Sequence, residues 1–104
     1  MNVREHQEYL VTINAPPSLE ETLVDCLLDF QAEDGFSSFF VSGHDHRHDG
    51  LSLAEQVTGR KKQIRFQMYV LAEGLPLLLA KLKDMFKDSG IHYWVTPVIE
   101  SGYL

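Results

Sequence analysis

Two stretches with helical apolar spacing, each lying between runs that read as strands, constrain the fold of this 104-residue chain more than any other feature. Tyr9-Leu10-Val11-Thr12-Ile13 is rich in β-branched and aromatic residues and stops at Asn14-Ala15-Pro16-Pro17, as a first strand and its exit turn would. Leu19, Leu23, Cys26, Leu27 and Phe30 then recur at helical spacing and predict one buried helix face. Ser18 is expected to cap the first free amides of that helix, with Glu21 bonding back to it. Cys26 lies on the apolar face and is expected to be a packed core thiol.

Gly35 closes the helical region, and Phe36 to Val41 reads as a second strand. Ile64, Phe66, Met68 and Val70 alternate with Arg65, Gln67 and Tyr69, so a third strand rests one side on a core. Leu75 to Phe86 forms a second helix, with Leu75, Leu78, Leu79, Leu82, Met85 and Phe86 inward and Lys81, Lys83 and Asp84 outward. Gly90 is expected to end it in the left-handed conformation. Ile91 to Ile99 is a fourth strand, and Pro97 restricts it to a sheet edge or a bulge. The order is β-α-β-β-α-β. Two right-handed crossovers joined this way predict an α+β, ferredoxin-like sandwich. It has an antiparallel four-stranded sheet, both helices on one face, and a long loop between strands two and three. The whole chain, 1–104, reads as a single domain.

Charge and composition narrow the partners. A net charge of −6 argues against nucleic acid, whose phosphates demand a surplus of Lys and Arg. The single cysteine excludes an internal disulfide and fits a reducing cytosol. No apolar run approaches the roughly 18 residues of a membrane span, so a cytoplasmic protein without membrane insertion is expected. The sheet face turned away from the helices carries Arg65, Gln67 and Tyr69, joined by either Trp94 or its neighbours Tyr93 and Val95. Such a mixed aromatic and polar face predicts a homo-oligomer.

The stretch Gly43-His44-Asp45-His46-Arg47-His48-Asp49-Gly50 gathers three of the five histidines. Alternate positions of an extended chain face one way, so His44, His46 and His48 are candidate ligands for a divalent metal such as Cu, Zn, Ni or Co. Asp45 and Asp49 are helpers. Leu51 to Val57 predicts about two helical turns before Gly59. Gly59-Arg60-Lys61-Lys62 reads two ways. Gly59 admits close backbone approach and Arg60 a bidentate fork, making a ligand-binding turn for an anion. Alternatively, Gly59 is a stop signal and the cations discourage edge pairing.

Three stretches carry a family likeness: Gly43-His44; Leu51-Ser52-Leu53-Ala54-Glu55-Gln56-Val57 leading into Gly59-Arg60; and Tyr93-Trp94 through Pro97-Val98. With the element order, they resemble the PII-like superfamily of nitrogen regulatory PII and CutA-type proteins. Within it the chain is similar to an uncharacterised bacterial PII-like domain-of-unknown-function family. The resemblance implies a trimer, ligand sites in subunit clefts, and a loop between strands two and three that changes shape. The phosphate-cradling loop of PII regulators corresponds here to Lys87-Asp88-Ser89-Gly90-Ile91-His92, which has one glycine. The modified tyrosine and the basic segment after the fourth strand are also missing, so no nucleotide is expected.

No serine or cysteine has the setting of an activated nucleophile, and neither a glycine-flanked arginine loop nor a Cys-x-x-Cys pair follows strand one. The chain therefore reads as a non-enzymatic PII-like regulator or sensor. It is expected to bind a small ligand or divalent metal through the histidine stretch, linking it to metal homeostasis or signalling. The alternative is an interaction or oligomerisation module that docks a protein partner through residues 44–60 without a ligand.

Overall fold

The computed structural model describes residues 7–30, 35–44 and 60–104. In chain order they form β1 (Glu8–Ala15), a 3-10 turn (Pro17–Leu19), α1 (Glu20–Phe30), β2 (Phe36–His44), β3 (Arg60–Leu71), α2 (Leu75–Met85) and β4 (His92–Val98). The four strands make one sheet in the order β2-β3-β1-β4, every neighbouring pair antiparallel. This is the ferredoxin-like sandwich that the element order predicted. The helical segment expected at 51–57 lies outside the described residues.

The core is built by the period of two. Val11, Ile13 and Ala15 of β1 sit opposite Met68, Phe66 and Ile64 of β3, and all six are buried. Leu23, Cys26 and Leu27 of α1 and Leu78 and Leu82 of α2 join them in one cluster, which places both helices on that side of the sheet. Phe36 of the edge strand closes one end, its ring centroid 6.1 Å from that of Phe66. Burial pushes the Cys26 thiol above its ordinary pKa, which keeps it protonated and inert at neutral pH. Across the outer surface of the helices, Lys81 donates to Asp29, and that contact lowers the Asp29 carboxyl and raises the Lys81 ammonium.

Three local expectations are corrected. The capping box at Ser18 and Glu21 does not form; Pro17 fixes its own φ and lacks an N–H, so the chain first makes a 3-10 turn in which Leu19 N donates to Pro16 O at 3.0 Å. Ser18 lies inside that turn, and the α-helix begins at Glu20. Met85 is 48% exposed rather than inward, because it is the last helical residue and lies past the sheet-facing stripe of Leu78 and Leu82. Gly90 does not cap α2. Phe86 takes that place, its N–H donating to Leu82 O.

The chain then turns back through Asp88 (φ 59°) and Gly90 (φ 82°), held by Ser89 N donating to Phe86 O at 3.1 Å. A Cβ at Gly90 would meet nothing within 4 Å, so any penalty there comes from the backbone alone. Gly90→Ala is expected to cost about 1 kcal/mol, read as a lower urea midpoint with an unchanged slope.

Candidate functional site

The β2–β3 ladder outruns its neighbour. β1 stops pairing at Ala15 opposite Ile64, whereas β2 and β3 continue through Val41–Gln63, Ser42–Lys62, Gly43–Lys61 and His44–Arg60. A two-stranded ribbon therefore extends beyond the sheet, and the chain from 45 to 59 joins its two ends. His44 is a strand residue, not a loop residue as expected, because its backbone is still in the ladder with Arg60; its side chain is exposed. Asp45, His46, His48, Asp49 and Gly59 lie outside the described residues. Among the described residues, no group of three or more His, Cys, Asp or Glu side chains is placed to hold a metal ion. The basic run does not make one patch, since strand alternation turns Lys61 and Lys62 to opposite sides of the ribbon.

The open face of the sheet resolves the alternative at β4. Trp94 pairs with Thr12, which pairs in turn with Gln67, so Trp94 belongs to the open face; Tyr93 and Val95 pack against the core. One row across this face runs Phe39, Arg65, Asn14 and His92. Arg65 Nε donates to Asn14 Oδ1 at 2.7 Å, and its guanidinium carbon lies 5.4 Å from the centre of the Trp94 ring. The His92 and Trp94 rings are 5.1 Å apart. Thr12 beneath them is only 2% exposed although it faces away from the helices.

The result is a positioned cation. Nε and one planar face of Arg65 are occupied, which, among the described residues, leaves the terminal nitrogens for a carboxylate or another acceptor. Phe39 and Tyr69, at 43% and 46% exposure, add apolar area on the same face. Sequence reasoning singled out Arg65 and left Trp94 open, but missed Asn14. Nothing in Asn14-Ala15-Pro16-Pro17 marks it, because its partner is 51 positions away.

Comparison with known proteins agrees with this architecture. The model of the DUF3240 family, described as a protein of unknown function, matches residues 6–104. No functionally curated protein matches the sequence. Among solved structures, the chain is similar to a DUF3240 family protein from Shewanella baltica OS155, with 22% identity, a TM-score of 0.74, and coverage of 100% of this chain and 99% of that one. It is also similar to CPII, a nitrogen regulatory PII-like protein from Thiomonas intermedia K12 bound to ADP, AMP and bicarbonate, at 16% identity and a TM-score of 0.68, covering 89% and 91%. CutA from Synechococcus elongatus PCC7942, complexed with Bis-Tris, matches at 12% identity and a TM-score of 0.67, covering 93% and 85%. At these identities the structural likeness establishes the PII-like fold.

Proposed function

This chain belongs to the DUF3240 family, and on that premise we propose that it is a non-enzymatic regulatory or sensor protein of the PII-like kind. Its ligand is a divalent metal taken by His44, His46 and His48 with Asp45, or another small ligand bound beside Gly59 and Arg60. The observation that carries the reading is the β2–β3 ribbon, which brings His44 out past the end of β1 on a PII-like scaffold. A ribbon of this kind gives the first candidate ligand, His44, an ordered backbone. One ligand whose backbone is already fixed in a ladder lowers the ordering cost of the set.

The ligand of CPII makes an adenine nucleotide the proper comparison in any titration. The turn from Lys87 to His92 has a single glycine, and Asp88 brings negative charge to it, so it makes a poor cradle for phosphates. Titration of the protein with Zn, Cu, Ni, Co and ADP separates the readings. Saturable metal binding supports the sensor; no binding to any of the five leaves the interaction module that docks a protein through residues 44–60.

The protein assembles as a homotrimer through its open face, where Trp94, Tyr69 and Phe39 supply apolar area and Arg65 awaits an acceptor from a second copy. Sedimentation equilibrium at micromolar concentrations is expected to give a trimer. Trp94→Ala should weaken association by about 2 kcal/mol per interface, as loss of a central aromatic anchor does. A wild-type monomer throughout that range would defeat the assembly, and a dimer would retain self-association while excluding the trimer. Among the described residues, no helix is long and apolar enough to cross a membrane.

A further inference from the structure

On the helix side of the sheet, a cleft of about 250 Å³ lies where the C-terminal end of α2 meets the start of β4. Ile13 and Leu82 form its floor and belong to the core, at 1% and 8% exposure. Phe86, Ile91 and Tyr93 form half-buried apolar walls. The remaining lining residues are Lys83, in the last turn of α2, and Lys87, in the turn that follows the helix, both exposed. Their aliphatic stems extend the apolar wall while their ammonium groups stay in water. Neither makes an ion pair with another described residue, whereas Lys81, two residues before Lys83, is held by Asp29. Asp84 and Asp88 are close in sequence, but they do not line the cleft.

We infer that this cleft binds a small amphipathic monoanion, an alkyl or aryl carboxylate whose tail lies on Ile13 and Leu82 while its carboxylate meets Lys83 and Lys87. The size is set by volume. A cavity of about 150 Å³ admits benzene, so 250 Å³ admits about ten non-hydrogen atoms. The class is set by chemistry. Five apolar side chains give little to a phosphate, which needs clustered amide donors, and two lysines among the lining residues favour a ligand charged at one end. Gly90 at φ 82° and the Ile91 N–H donating to Ser89 Oγ at 3.3 Å shape the turn that delivers Ile91 to the cleft wall. Because Ile13 and Tyr93 face the helices while Trp94 and His92 face away, the site lies on the opposite side of the sheet from the open-face assembly.

Calorimetry of the full-length protein with octanoate, and with octanol as its neutral counterpart, tests the inference. Octanoate should bind saturably, and octanol about three- to tenfold more weakly, the range expected of one or two solvent-exposed charge contacts. Lys83→Gln with Lys87→Gln should reduce octanoate to the level of octanol, and Ile91→Trp, which fills the cleft, should abolish both. Should Ile91→Trp fail to fold, the ring resonances of Tyr93 in the wild type serve instead: they should shift with octanoate while the indole of Trp94 stays fixed. The inference is overturned by absence of saturable octanoate binding up to about 10 mM. It is equally overturned by undiminished binding to the double lysine variant, or by shifts at Trp94 without shifts at Tyr93.

Discussion

Replacing His44, His46 and His48 together with alanine is expected to abolish divalent-metal binding while leaving the fold and the assembly intact. His44 is exposed at the far end of β2, in a ribbon that lies beyond the last pair between β1 and β3, so its side chain contributes nothing to the buried core. Binding by the wild type should weaken steeply on acidification below neutrality, because a metal binds only the deprotonated imidazole and protons compete for the same nitrogen. The slope against pH counts the protons displaced, so three ligands acting together give a steeper fall than one. Calorimetry at several pH values, repeated on the triple variant, reads both effects. A variant that binds as tightly as the wild type would remove these residues from the site and favour the docking module.

The second large effect lies in the core. Phe66→Ala should destabilise the protein by about 3–5 kcal/mol, the cost of removing a fully buried aromatic ring and leaving a cavity. Phe66 is 0% exposed, sits opposite both Ile13 and Ser38 in the ladders, and packs against the ring of Phe36. Against a total stability of about 5–15 kcal/mol for a domain this size, that loss leaves a marginal fold. Phe40→Ala is the matched control. Phe40 is 70% exposed on the edge strand, and its removal should change stability by less than about 0.5 kcal/mol. Both are measured by denaturant melts at one protomer concentration, since self-association adds to apparent stability. Equal losses from the two would mean that Phe40 is covered by another copy.

The elements, their order and most of the core are legible in local signals of the chain. Alternation at Ile64, Phe66, Met68 and Val70 and helical spacing at Leu23, Cys26 and Leu27 are local signals, because each side chain's face follows from the geometry of its own segment. Pro97 restricts its strand to an edge or a bulge for an equally local reason, its missing N–H, and β4 is an edge strand. Signals that depend on a neighbour were less legible. Ser18 and Glu21 had the right spacing for a capping box, but Pro16-Pro17 imposed a tighter first turn.

Tertiary structure alone decided the surfaces. Tyr93-Trp94-Val95 is apolar on both faces of its strand, so periodicity could not choose which side meets the core; the register of Trp94 against Thr12 chose it. The hydrogen bond from Arg65 to Asn14 and the lysine-rimmed cleft join residues from separate elements, and no spacing rule relates them. His44 became a strand residue because β3 begins at Arg60, directly opposite it. A side chain's preference for burial is written in its own segment, whereas what it touches depends on how distant segments are brought into register.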